Sequence, residues 1–350
     1  MTASELAPVL AQFAPGAPFE TGRLLGKGMI HRSFLVRSGG QAWVLQCMNT
    51  AVFSQPERVM DNLLRVQAHL KKSNYSYRIA EPIRTRAGDV LYRAPDGQAW
   101  RAFPYFPDTY TPEGNANPEE ACQAARAYGV FLSALRDFPV DSLPETIPGF
   151  HDTLQRQAYY EQVRAQADPA RRQQAGRAAD ALAEYFPLFR DIHALKESGQ
   201  LTRRVTHNDT KAGNVLLDAR TRRPIAVIDL DTVMPGVVWS DFGDMARTFV
   251  PRRPENDPDI RRLALNTEIL AALQEGFLEA VGAWLTPLEK TGLLSGAVWI
   301  TAEQALRFLT DYLAGDVYYR VQYPAQNLDR AQNQLAVAEK LWKIAGGLPR

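Results

Sequence analysis

An α+β fold in two lobes, a small β-rich one followed by a larger, mainly helical one, is what this sequence predicts. Three observations lead there. At 350 residues the chain exceeds what one hydrophobic core usually organises. Its first hundred residues carry strand-like runs around Gly39-Gly40 and Asp96-Gly97, pairs that favour tight hairpin turns. Beyond a proline-rich stretch at 104–114 the apolar spacing becomes helical.

In chain order, 24–36 and 41–48 read as two strands joined at Gly39-Gly40. Residues 54–72 place Val59, Leu63, Val66 and Leu70 on one helical stripe, and Pro56 suits a first turn. Asp89–Arg93 and Gln98–Phe103 flank Asp96-Gly97 as a second hairpin. These elements are expected to make up a β-rich lobe at 1–103, followed by a hinge at 104–110 and a helical lobe at 111–350. Within the last, 117–137, 152–198, 259–282, 286–314 and 328–345 read as helical, rich in Ala, Leu, Gln and Arg. The exception is a β insert at 215–230, two apolar runs around Ala-Arg-Thr-Arg-Arg-Pro.

The 40 basic and 39 acidic residues nearly balance, so bulk electrostatic binding to nucleic acid is not expected. No apolar run approaches a membrane span, and Glu5 together with the lack of a basic start argues against a secretory signal. Cys47 and Cys122 supply neither a disulfide framework nor a metal cluster. A cytoplasmic setting is the expectation.

The chemistry concentrates in T-H-N-D-T-K-A-G-N-V-L-L-D followed by V-I-D-L-D-T. Asp209 precedes Asn214 by five residues, and Asp229 ends an apolar run. Protein kinases space a catalytic Asp, a metal-binding Asn and a second metal-binding Asp in this way. With the two-lobed layout, this predicts a protein-kinase-like bilobal fold. Asp209 is the candidate to orient an attacking hydroxyl and accept its proton, and Lys211 to contact phosphate. Asn214 and Asp229 offer hard oxygens suited to Mg²⁺. His207 reads as a brace for the loop. Asp231 is a minor rival for the metal role. The conspicuous D-F-G-D at 241–244 follows the end of the strand, so Asp241 reads as an N-cap or a brace for the loop.

Gly26, Lys27 and Gly28 resemble a loop that lets backbone approach a triphosphate, with an ordinary turn as the plain alternative. Where such folds place a strand lysine, W-V-L-Q puts neutral Gln46, which leaves Glu57 without an obvious ion-pair partner. Either the chain is a scaffold without turnover, or the positive charge comes from Lys27, Lys211 and Mg²⁺; the intact Asp209, Asn214 and Asp229 favour the latter. Adenine is expected against the backbone of Pro104, Tyr105 and Phe106 in the hinge.

The segments T-H-N-D-T-K-A-G-N-V-L-L-D, V-I-D-L-D-T-V-M-P-G and D-F-G-D-M-A-R together resemble the aminoglycoside-phosphotransferase-like (choline kinase-like) kinases. Within that family L-Q-C-M-N, W-R-A-F-P-Y-F-P-D-T and R-F-L-T-D-Y-L-A-G-D-V-Y-Y look most like the N-acetylhexosamine 1-kinases, over about residues 20–345. The resemblance implies ATP- and Mg²⁺-dependent phosphorylation of the anomeric hydroxyl of N-acetylglucosamine or N-acetylgalactosamine. It also implies that Gln46 is a habit of the branch. The candidate sugar contacts are His31, Asp209, Phe249, Arg307 and Tyr318. The plain alternatives are an Arg307–Asp311 pair along a helix and tyrosines that only fill the core. An aminoglycoside, choline, an amino-alcohol or another sugar remains an alternative acceptor.

Overall fold

The computed structural model describes residues 3–13, 19–25, 30–38, 40–114 and 116–349. The chain opens with a helix, α1 (Ala3–Phe13), unannounced in the sequence because Pro8 sits inside it. Its Leu6, Val9, Leu10 and Phe13 form one stripe that packs on Phe34, Val36, Leu45 and Trp100 of the small sheet.

That sheet holds β1 (Phe19–Leu24), β2 (Arg32–Ser38) and β3 (Gln41–Cys47). The single strand expected at 24–36 is therefore two strands. Their antiparallel ladder is extended by Leu25 N–H donating to Ser33 O at 2.8 Å. Gly26, Lys27 and Gly28 lie outside the described residues. Helix α2 (Pro56–Lys72) buries Val59, Leu63, Val66 and Leu70, as its stripe predicts. The second hairpin supplies β4 (Tyr92–Arg93) and β5 (Ala99–Pro104). The five strands are antiparallel in the order β1-β2-β3-β5-β4, so β5 lies beside β3 although α2 intervenes in sequence. Glu57, expected to be partnerless, pairs with Arg93 at 2.7 Å on the surface.

The 104–114 stretch contains β6 (Thr109–Tyr110), which pairs with the first strand of the later insert. Helix α3 (Pro118–Ala134) starts at a capping box between Asn117 and Glu120. The long helical run at 152–198 resolves into α4 (Thr153–Gln166), α5 (Pro169–Gln174), α6 (Gly176–Ala183) and α7 (Phe186–Glu197). Asp168 with Pro169, and later Pro187, restart the helix at new first turns.

Then β7 (Arg204–Thr206) leads into the catalytic-loop sequence, and β8 (Val215–Asp218) and β9 (Pro224–Val227) form the predicted hairpin. Next, β10 (Met234–Gly236) returns to pair with β7. Helix α8 (Val238–Phe249) follows, then α9 (Thr267–Val281), α10 (Pro287–Thr291), α11 (Leu293–Ala314) and α12 (Gln326–Ala345). The helix expected from 259 begins only at Thr267, capped by Asn266; Ile260–Arg262 is a short 3-10 turn.

Two glycine contacts set the close packing of this lobe. A Cβ on Gly276 of α9 would lie 2.1 Å from the Cys122 carbonyl of α3. A Cβ on Gly243 of α8 would lie 2.5 Å from the Gly296 carbonyl of α11. No helix among the described residues is long and apolar enough to cross a membrane.

Candidate active site

The loop between β7 and β8 is fixed from several sides. Asp241, in the first turn of α8, accepts the backbone N–H groups of His207 and Asn208 at 2.9 and 2.7 Å. It is a brace rather than an N-cap, since the helix already starts at Val238. Burial raises the Asp241 carboxyl to about 7, with these two donors pulling the other way. His207 accepts the Asp209 N–H on Nδ1 (3.3 Å), which leaves Nε2 to donate to Ile228 O at 3.0 Å. Burial lowers its basicity, and the rings of Tyr128 and Phe131 pack edge-on to it. Tyr128 of α3 also donates to Lys211 O at 2.8 Å. The brace role expected for His207 is the one seen.

Asn208 and Asp229 both occupy the left-handed region, at φ 62° and 60°. Asn and Asp tolerate that conformation better than other residues with a Cβ. At Asp229 it ends β9 abruptly, while Ile228 N–H donates to Asn214 O at 2.9 Å and stitches the strand end to the loop.

Asp209, Lys211, Asn214 and Asp229 are thus gathered in one place. Asp209 Oδ2 receives Lys211 Nζ at 2.6 Å and Asn214 Nδ2 at 2.8 Å; Oδ1 has no partner among the described residues. Burial opposes charge on Asp209, but Lys211, His207 and Asn214 outweigh it and hold the carboxyl below its ordinary value. Lys211 is held protonated in turn, Asp209 and Asp229 overcoming the effect of burial. With Asn214 Nδ2 spent on Asp209, its side-chain oxygen Oδ1 carries no bond to a described residue. The Asp229 carboxylate accepts no hydrogen bond from any described residue either. Loss of hydration to the surrounding protein and the charge of neighbouring Asp231 raise its carboxyl, and Lys211 opposes them. Two unpartnered hard oxygens next to a lysine fit a magnesium ion whose remaining ligands come from phosphates and water. No group of three or more His, Cys, Asp or Glu among the described residues could hold a metal alone.

Asp231, the minor rival, is fully engaged. Arg101 donates to both its oxygens at 2.6 and 2.8 Å, and His31 Nε2 to Oδ2 at 2.6 Å. Gln46 lies opposite Arg101 on β3 and accepts its Nε at 3.0 Å, while Gln46 Nε2 donates to Ser33. In the stretch expected to be the hinge, Tyr105 N–H donates to Ala42 O at 3.1 Å, Phe106 O accepts the Thr109 hydroxyl, and Pro104 ends β5.

The other expected sugar contacts each have partners of their own. His31 sits under the small sheet with Asp231. Phe249 is a buried core residue at the end of α8. Arg307 stacks over Phe150 and Tyr319 and donates to Gln304. It makes no ion pair with Asp311, whose carboxylate instead receives Tyr318 N–H, Tyr319 N–H and Asn327. The Tyr318 ring is exposed and edge-on to Tyr319. No hydrogen bond or ion pair joins His31, Phe249, Arg307 or Tyr318 to Asp209.

Sequence reasoning missed Arg101, Tyr128 and the Asp244–Arg247 pair (2.7 Å), whose arginine feels the charge of Asp209. Arg101 could have been found by pairing W-V-L-Q with Q-A-W-R, which sets it across from Gln46.

The two-lobed fold and this loop define a phosphotransferase. The model of the phosphotransferase enzyme family (APH) matches residues 21–284, and the chain belongs to that family. Among solved structures it is similar to an aminoglycoside phosphotransferase from Alicyclobacillus acidocaldarius, at 17% identity over 97% of this chain and 93% of that one, TM-score 0.64. A GDP complex of aminoglycoside 2'-phosphotransferase-IIIa matches at 13% identity, 96% and 99% coverage, TM-score 0.65. A microcompartment-associated aminopropanol kinase matches at 16%, 99% and 99%, TM-score 0.65. At these identities the likeness speaks for the fold, and it agrees with the α+β protein-kinase-like architecture read from the sequence.

Proposed function

We propose that this chain is an ATP-dependent kinase that phosphorylates the anomeric hydroxyl of an N-acetylhexosamine, giving the sugar 1-phosphate. The observation that carries the kinase reading is Asp209. Its carboxyl is biased toward the ionised form, one oxygen is anchored by Lys211 and Asn214, and the other is free to receive a proton. Asp209 accepts the proton of the acceptor hydroxyl as its oxygen attacks the γ-phosphorus in line. The new P–O bond forms while the bond to the departing ADP breaks. Lys211 stays cationic beside the transferring group and spreads its charge. Asn214 and Asp229 would hold Mg²⁺, which supplies charge neutralisation at the phosphates. The GDP-bound relative supports the use of a nucleotide by this fold.

The sugar assignment rests on the motif resemblance and on charge. Arg307 stacks on two aromatic rings with no carboxylate within ion-pair distance, and Arg156 adds like charge nearby. A polycationic or quaternary-amine acceptor needs the opposite surroundings. The deciding experiment is Mg-dependent ADP release over a panel of free sugars, amino-alcohols and aminoglycosides, with the phosphate located by phosphorus NMR. Turnover confined to N-acetylhexosamines with phosphate on carbon 1 is expected. Phosphate on carbon 6, or turnover confined to aminoglycosides, would overturn the assignment.

A further inference from the structure

A continuous polar line runs from the small sheet to the turn that follows Asp229. Ser33 accepts Gln46 Nε2 at 3.0 Å, Gln46 Oε1 accepts Arg101 Nε at 3.0 Å, and Arg101 forks onto both oxygens of Asp231. Asp231 also receives His31 Nε2, whose Nδ1 accepts the Asn49 N–H at 3.0 Å. Arg101 is 1% exposed and Asp231 2%. Thr146 Oγ donates to the Asp231 carbonyl at 2.7 Å and fixes the backbone there as well.

Two facts separate this line from ordinary core filling. Burying an ion pair costs so much desolvation that an apolar pair of similar volume often serves stability equally well. The pair also joins residues 130 apart in sequence, one in β5 and one in the 3-10 turn Leu230–Thr232, directly after the candidate metal carboxylate. A protein kinase uses a strand lysine to organise the phosphates at this part of the cleft. Here Gln46 holds that position, and the cation beside it is spent on Asp231 rather than aimed outward.

We infer that Arg101 and Asp231 form a strut between the lobes that sets the position of Asp229, and so of the metal-bound phosphates, beneath the small sheet. The inference rests on the kinase reading. It makes Arg101 a positioning residue that acts through Asp229, not a phosphate ligand. Metal-free and metal-bound nucleotide should therefore respond differently to its loss.

The test is calorimetric binding of ADP, with and without Mg²⁺, to wild type and to the double variant Arg101→Met/Asp231→Met. The two methionines replace the buried pair with apolar bulk, so no lone charge is stranded. Asn62, which donates to Pro144 O and Val233 O, keeps α2 tied to the same region. The double variant leaves His31 Nε2 and Gln46 Oε1 without their partners, so it should stay folded and melt several degrees below wild type. It should bind Mg-ADP about tenfold or more weakly, the usual scale for losing a residue that orients a metal ligand. Affinity for metal-free ADP should stay within about threefold on the same grounds.

Equal weakening of both forms would make Arg101 a direct phosphate cation and overturn the strut. No change in either would reduce the pair to packing and overturn it too. Arg101→Lys asks the same question without relying on the double variant's stability, since it keeps the charge and loses the fork. A smaller, Mg-selective loss is expected there, and wild-type Mg-ADP affinity would count against the strut. The kinase reading is judged separately, by whether wild type binds Mg-ADP and transfers phosphate at all.

Discussion

Asp241 Oδ1 accepts the Asn208 backbone N–H at 2.7 Å, across 33 residues of sequence and from inside a helix that contributes no reacting group. The bond sits next to the left-handed turn at Asn208, so the carboxylate holds in place a conformation the loop would not keep alone. Asp241→Ala would leave two buried N–H groups without an acceptor, each worth roughly 1–3 kcal/mol. A melting temperature several degrees lower is expected, with kcat falling while the acceptor KM changes little. A variant that melts early but keeps wild-type kcat would show that the brace does not reach the chemistry.

Asp209→Asn should retain the fold and nucleotide binding and lose about 10²–10⁴ in kcat, the usual worth of a positioned general base. Steady-state turnover at saturating acceptor reads this directly.

Lys211→Met removes the main charge holding the Asp209 carboxyl down. Because that carboxyl lies below its ordinary value, wild-type kcat/KM should be lost only as pH falls below the usual carboxylate range. In Lys211→Met the acid limb should move up by about one pH unit or more, the scale of an adjacent opposite charge. An acid limb that stays put would assign it to another group.

Glu303 is buried on α11, where it receives the Thr153 hydroxyl at 2.6 Å and His151 Nδ1 at 2.8 Å. Burial raises its carboxyl, but His151, Arg156 and Thr153 prevail and bring it from 4.5 down to about 2. A depressed carboxyl contributes stability above its unfolded value and loses it as pH falls through the folded one. The melting-temperature gap between wild type and Glu303→Gln should therefore be widest near neutrality and close between about pH 4.5 and 2. A gap independent of pH would mean the glutamate acts through shape alone.

Gly276→Ala drives a methyl into the Cys122 carbonyl across the α3–α9 contact. A loss of about 1–3 kcal/mol is expected by denaturant titration, as for overpacking elsewhere. A wild-type midpoint would show that the two helices can part without cost.

The clustering of the candidate catalytic loop was legible in the sequence because its parts are local. Asp209, Lys211 and Asn214 lie within six residues, and one hairpin brings Asp229 back to them. The stripe of α2 and the Asp96-Gly97 turn were equally readable, each being periodicity or turn chemistry within one element. Arg101 was not, since its meaning depends on β5 crossing to lie against β3 and on a carboxylate 130 residues away. Helix α1 was hidden by its proline. The breaks within 152–198 escaped because Ala-, Gln- and Arg-rich sequence reads as helix whether or not the chain turns. Arg307 and Asp311 have ideal helical spacing, yet the aspartate turned to the backbone of Tyr318 and Tyr319 instead.

The left-handed backbone at Asp229 has a consequence for how this chain can change. Glutamate would keep the negative charge but carries a longer side chain into a conformation that costs an ordinary L-residue about 1–2 kcal/mol. Asparagine or glycine would accept the backbone and forfeit the charge. Position 229 therefore has no conservative neighbour among the amino acids. Under the proposed metal role, every single substitution at 229 gives up either the charge or the backbone fit.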